Sequence, residues 1–244
     1  MIQKIILWGL SLFDYSYQKK WIKFLKKNKY NDFKILIDIG AHRGESIKLF
    51  SKNFTIKKII SFEASPINFE FLKKKIDENK QEYNNTEIVL ENIALGAENK
   101  IIEFNQFNES SSSTIKDINK ESKYYKRKFR LINFLNNKKT FQKIKIKVSK
   151  LKDYIEKNNI KKIDFIKIDT EGYEFEILLG LENKIKLVDI IMFEHHYDNM
   201  IKKGYTFENI NKLLIKNNFN KIYKSRMPFR KTFEYIYKRE ESIN

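Results

Sequence analysis

The stretch Lys34-Ile-Leu-Ile-Asp-Ile-Gly-Ala-His-Arg-Gly44 decides the fold of this chain. Its β-branched, apolar first half stops at Gly40, and the residues from Glu45 to Lys52 continue with helical character. That order describes a buried parallel strand feeding a helix. Gly40 and Gly44 bracket the turn, where the backbone bends tightly and a ligand can approach it. A second strand, Lys58 to Phe62, ends in Glu63, 19 residues beyond Gly44. In nucleotide-binding α/β folds an acid at that place grips a ribose diol, although the glycine spacing here is not G-x-G-x-x-G.

Outward from this unit, Ile67 to Asn79 reads as a helix and Glu87 to Leu90 as a third strand that reaches Asn92 and Ala94. Alternating strands at Ile101–Phe107 and Phe141–Val148 flank a Ser/Asn/Lys-rich stretch, and residues 108–139 are expected to form an insertion or lid over an acceptor pocket. A helix, Lys150 to Asn158, precedes the largely apolar strand Ile163–Ile168, which ends in Asp169-Thr-Glu171-Gly172 before a helix from Tyr173 to Leu181. A fifth strand, Val188 to Phe193, delivers Glu194-His195-His196-Tyr197-Asp198. Asp169 and Glu171 therefore sit outside the carboxyl end of a parallel strand, the side on which α/β sheets bind ligands. Lys167 is read as pointing to the opposite face and as structural. The tail reads as a helix, Phe207 to Lys216, and a hairpin of Asn220–Lys224 and Thr232–Lys238 that would supply an antiparallel edge.

The 244 residues suffice for one large domain or two small ones. The absence of cysteine excludes a disulfide framework, a thiolate nucleophile and a Cys-built metal site. With 49 basic and 31 acidic side chains the formal charge is +18, which suggests a polyanionic partner. Only six of the basic residues are arginine, however, and nucleic-acid readers lean on arginine forks. The charge is thus read as a lysine-rich solvated surface, arguing against a nucleic-acid partner. Residues 1–30 read as an amphipathic helical cap whose apolar core, Ile5 to Phe13, falls short of the ~20 residues that span a bilayer. Packing on the domain is preferred there to peripheral contact with an anionic membrane. The expected location is cytoplasmic, with association at the inner membrane face as the alternative.

Charge also chooses the nucleotide. A pyrophosphate at the glycine loop would meet Asp38 and Glu45, whereas a ligand carrying a sulfonium and an ammonium would be attracted. S-adenosylmethionine is such a ligand. The stretches Ile37-Asp-Ile-Gly-Ala-His-Arg-Gly44, Ser61-Phe-Glu-Ala-Ser-Pro66, Glu91-Asn-Ile-Ala-Leu-Gly96 and Ile163-Asp-Phe-Ile-Lys-Ile-Asp-Thr-Glu-Gly-Tyr-Glu174 resemble the FkbM family of S-adenosylmethionine-dependent methyltransferases. The resemblance runs from about Phe33 to His196 and departs from the commoner pattern at Ala64-Ser65. It implies the Rossmann-like class I methyltransferase fold over residues 31–244, a mostly parallel seven-stranded sheet with an antiparallel edge strand and helices on both faces. It further implies a cofactor site at Asp38, Gly40, Ala41, Gly44, Glu63, Ala64, Asn92, Ala94 and Asp169, and O-methylation of a hydroxyl on a sugar, glycan or secondary metabolite. A base would remove the acceptor proton, with Asp169, Glu171 and His195 as candidates and Asp169 and His195 ranked first. The rivals are an RNA methyltransferase, a metal-assisted enzyme using Asp169, Glu194 and His195, and a binding module without turnover.

Overall fold

The computed structural model describes residues 17–83, 85–107, 115–116, 119, 121–122, 126, 141–198, 201–228 and 231–240. The apolar run Ile5–Phe13 and nearly all of the expected 108–139 insertion lie outside the described residues. Helix α1 (17–27) is followed by β1 (Asp32–Ile39), α2 (Glu45–Asn53), β2 (Thr55–Phe62), α3 (Pro66–Glu78) and β3 (Glu87–Glu91). Next come β4 (Ala94–Leu95), β5 (Lys100–Phe107), β6 (Phe141–Ser149), α4 (Leu151–Lys157), β7 (Ile163–Ile168) and α5 (Glu174–Leu179). The chain closes with β8 (Val188–His196), α6 (Phe207–Lys216), β9 (Phe219–Arg226) and β10 (Thr232–Arg239).

Seven strands form one sheet in the order β3-β2-β1-β7-β8-β10-β9. β1 runs parallel to β2 and β7, β2 to β3, and β7 to β8, so the order reverses between β1 and β7. That reversal opens a crevice at the strands' carboxyl ends, where such folds bind ligands. β10 runs antiparallel to both β8 and β9, which places the reversed strand one in from the edge and leaves β9 outermost. β4, β6 and β5 form a second, three-stranded sheet. Alternation marks Ile101–Phe107 and Phe141–Val148 as strands, but a period of two does not say which sheet a strand joins.

Strand alternation sorts the core into two layers. Ile37, Ile39, Ile166, Ile168, Ile191 and Phe193 point to one face, against Leu151, Leu178, Ile210 and Leu214. Leu36, Phe165, Ile190, Met192 and Ile236 point to the other, against Trp21, Leu25, Ile47, Phe50 and Leu72. Each such fully buried side chain contributes about 1.5–3 kcal/mol relative to exposure. On the second face Trp21 is 1% exposed, its ring 5.3 Å from that of Phe50 and stacked on Phe54 at 6.4 Å. Residues 17–27 therefore belong to the domain core. No helix among the described residues is long and apolar enough to cross a membrane.

Candidate active site

The turn after β1 is shaped by what crosses above it. Gly40 has φ 85°, and a Cβ there would fall 1.9 Å from the carbonyl oxygen of Asp169 at the end of β7. Glycine is thus demanded by the close approach of two strand ends as well as by the positive φ. The Gly40 and Ala41 amides donate to the Phe62 carbonyl at 2.9 and 3.1 Å, and the Asp169 amide donates to Ile39 at 2.9 Å. Three strand ends are thereby tied around a cavity of about 330 Å3 at the crevice. Gly44, also left-handed at φ 83°, is shut off beneath Leu72 of α3, whose Cδ1 would lie 2.9 Å from an added Cβ, and it does not line the cavity.

On the β2 side, Glu63 is 6% exposed and lines the cavity. Its two carboxyl oxygens accept the His42 and Ser65 amides, each at 2.8 Å. Burial raises its pKa, and these two N–H groups oppose the rise by favouring the charged form. Ser65 caps α3 by accepting the Asn68 amide at 3.2 Å and donates to Gln106 Oε1 at 2.9 Å. Asn92 does not reach the cavity, because its Nδ2 donates to the Glu63 carbonyl at 2.8 Å and braces the strand end. Ala64 and Ala94 do line it, with Phe62, Ile93, Leu95 and Phe104 as apolar wall. At the mouth, burial pushes the Glu45 carboxyl up, but the His42 ring 3.2 Å away and backbone N–H bonds hold it at about 2.

The other side holds a polar seam that sequence reading misplaced. Residues 165, 167 and 169 share one face of β7, since side chains two apart on a strand point the same way. Lys167 therefore lines the cavity beside Asp169, with Nζ 3.1 Å from Asp169 Oδ2 and 3.8 Å from Asp38 Oδ1. Asp38, 0% exposed, accepts the Ser46 hydroxyl at 2.5 Å and stops short of the cavity surface. Burial raises its pKa against the pull of Lys167. Burial would lower Lys167, but Asp169, Asp38 and Glu194 outweigh it and raise its pKa. Glu194 on β8 stands opposite Glu234 on β10, and both line the cavity. Burial, with Asp169 and Glu234 as like-charged neighbours, raises Glu194 well above the carboxylate range. Burial carries Glu234 to about 8.

His195 departs from its expected role. β8 is three residues longer than the sequence indicates, and its alternation sends His195 to the side away from Glu194. There His195 packs 4.8 Å from Tyr197, 5.8 Å from Phe207 and 5.9 Å from Tyr205, and does not line the cavity. Burial, with Lys203 and His196 nearby, lowers it to about 3. It cannot join Asp169 and Glu194 around an ion. The imidazole on the acidic side is His196, with Nε2 3.5 Å from Glu171 and Nδ1 3.0 Å from the Thr232 hydroxyl. Glu171 lines the cavity from a left-handed position, φ 51°. Beneath it the wholly buried Glu174 accepts the Gly172 amide at 2.9 Å and the Tyr205 hydroxyl, stapling the loop.

Of the residues expected from sequence, Gly40, Ala41, Glu63, Ala64, Ala94, Asp169 and Glu171 meet at one cavity. Asp38, Gly44 and Asn92 support it from behind. S-adenosylmethionine fits the residues present: an apolar slot beside a carboxylate at Glu63 suits an adenosyl group, and Asp169 and Glu171 suit a cationic centre.

The profile of the family described as Methyltransferase FkbM domain matches residues 38–223. Among solved structures, the magnesium protoporphyrin IX methyltransferase of Synechocystis PCC 6803 with bound SAM superposes with a TM-score of 0.54 at 8% identity, covering 95% of this chain and 82% of that one. Methyltransferase FkbM from Methylobacillus flagellatus KT superposes with a TM-score of 0.52 at 15% identity, over 84% of this chain. This chain spans 43% of the Methylobacillus protein. At these identities the likeness concerns the fold. No curated protein sequence matches.

Proposed function

Because the chain belongs to the FkbM methyltransferase family, we propose that it transfers the methyl group of S-adenosylmethionine to a hydroxyl oxygen of a small molecule, a sugar residue or secondary metabolite, with Asp169 taking the proton. The observation that carries this reading is the placement of Glu63 and Asp169 on one cavity, on either side of the Gly40 turn. Glu63, held by two amides, is oriented to accept from a ribose diol. When bound, the cofactor supplies an electrophilic methyl group. What remains for the protein is to align an acceptor oxygen with that methyl, exclude water and receive a proton. Asp169 is suited to receive that proton, because its carboxylate faces the cavity and Lys167 fixes one oxygen from behind.

Calorimetry with S-adenosylmethionine and a labelled-methyl transfer screen over hydroxylated acceptors test the reading. Asp169→Asn is expected to lower turnover by about 10²–10⁴-fold, the usual contribution of a positioned base, while cofactor binding falls far less. Full turnover by that variant removes Asp169 from the mechanism, and absence of cofactor binding removes the function. The +18 charge supports one rival, an RNA acceptor. Transfer to RNA, with affinity falling steeply as salt rises, would establish that acceptor instead.

A further inference from the structure

The cavity is longer than the nucleotide reading needs. It reaches from Glu63 on β2 to Glu234 on β10, four strand spacings or about 19 Å. The methyl-transfer reading occupies the β2, β1 and β7 part of that span. The remainder is walled by Tyr17 and Gln18 of α1, Met227, Glu194 and Glu234. Glu234 is 4% exposed, yet its Oε2 has no hydrogen-bond partner. A buried carboxyl oxygen that the protein leaves unpaired at a cavity wall is a place for a water or for a ligand hydroxyl that displaces it.

We propose that Glu234, with Glu194 beside it, is an acceptor-binding residue, and that its Oε2 accepts a hydrogen bond from an uncharged hydroxyl of the acceptor. The inference rests on the methyl-transfer reading above and names the group that holds the second substrate. Hydrogen-bond inventory sets the chemistry. A tyrosine hydroxyl has one proton. That of Tyr17 is given to the Ser225 carbonyl at 3.1 Å, and Glu234 Oε2 is left without a donor. With no donor to it among the described residues, Oε2 is the oxygen left to accept. The groups facing Glu234 are Glu194 from β8, Lys167 and Asp169 from β7, Tyr17 from α1 and Tyr223 from β9; burial and Asp169 favour the protonated acid and prevail over Tyr17 and Lys167, which favour the charged form. Two carboxyls opposed on antiparallel strands and buried together favour the neutral form of at least one. A carboxylate or phosphate on the acceptor would meet Asp169 and the two glutamates. An ammonium would meet Lys167, whose charge Asp38 and Asp169 already hold in place.

The test uses the full chain with S-adenosylhomocysteine bound and three probes of one shape: methyl glucopyranoside, glucosamine and glucuronate. Saturation-transfer NMR is expected to show binding of the glucopyranoside alone. Glu234→Leu is expected to weaken that binding at least tenfold while cofactor affinity stays within twofold. Glu234→Gln keeps an uncharged carbonyl acceptor at the same position and is expected to recover the binding that Glu234→Leu loses. A glucopyranoside signal that survives Glu234→Leu overturns the proposal. So does preference for the amine or the acid, failure of glutamine to recover binding, or no binding of any probe by a chain that still binds cofactor. Failure to bind S-adenosylhomocysteine overturns the methyl-transfer reading instead.

Discussion

Replacing Lys167 by methionine isolates the polar seam, because methionine keeps most of the stem's volume and removes only the charge. Its Nζ lies 3.8 Å from Asp38, which is 0% exposed and otherwise accepts only from Ser46. Removing one partner of a buried pair costs about 3–5 kcal/mol. The native state has one escape, to protonate Asp38. At about 1.4 kcal/mol per pH unit, taking a carboxyl of ordinary pKa 3.8 to neutrality at pH 7 costs about 4 kcal/mol, and less for Asp38, which burial already raises. The Asp169 contact adds little, because that side chain is 32% exposed and water screens it. The expected loss is therefore about 3 kcal/mol, which at about 2–4 °C per kcal/mol for a domain of this size lowers Tm by about 6–12 °C. The sign with pH is fixed as well. The variant's Asp38 binds its proton more tightly folded than unfolded, so its stability falls as pH rises and the deficit is smaller at pH 5 than at pH 7. Calorimetric melts of both proteins at the two pH values measure this, and adding Asp38→Asn to Lys167→Met should restore half or more of the loss. A deficit below about 2 °C at pH 7 would refute the account, since it corresponds to 1 kcal/mol or less; so would one that grows on acidification.

Gly40→Ala is expected to cost at least about 1–2 kcal/mol for the left-handed backbone alone, and to weaken cofactor binding more than tenfold, because the added carbon would stand 1.9 Å from the Asp169 carbonyl. Unchanged calorimetric affinity would show that β1 and β7 can part without harm. Trp21→Ala should destabilise by about 3–5 kcal/mol and expose residues 17–27 to limited proteolysis, since that ring packs between Phe50 and Phe54; a chain as resistant as wild type would place α1 outside the cooperative unit. Glu234 rises from an ordinary 4.5 to about 8 when folded. Its contribution to stability is full below pH 4.5 and lost as pH climbs through 8, so wild-type Tm should fall over that interval and Glu234→Gln should flatten the fall.

Much of the fold and some of the residues lining the candidate site were legible because they depend on local pattern. An apolar β-branched run ending in Gly40, and acids at the ends of two such runs, need only short-range chemistry to be read. Phase was harder. Ile190-Ile-Met-Phe193 is apolar on both faces, so nothing in it shows whether His195 or His196 turns toward Glu194. Lys167 was misplaced although residues two apart on a strand must share a side; the apolar neighbours Ile166 and Ile168 made the charge look like an intruder. Glu234 could have been found: it is the lone acid in the aromatic run Phe233-Glu-Tyr-Ile-Tyr237, where a carboxyl is costly unless something uses it. The second sheet stayed hidden because its pairing is long-range, Lys100 with Val148 through Phe107 with Phe141.

The outermost position of β9 gives the lysine-rich composition another meaning. An open strand edge is a template on which a second copy of the chain can continue the sheet, and runaway growth of that kind ends in aggregates. β9 carries Lys221, Lys224 and Arg226. A copy docking there would bring the same cations to a strand spacing of about 4.8 Å, inside the roughly 8 Å over which physiological salt leaves charges unscreened. The cations of β9 thus oppose the addition of a second copy at that edge of the sheet.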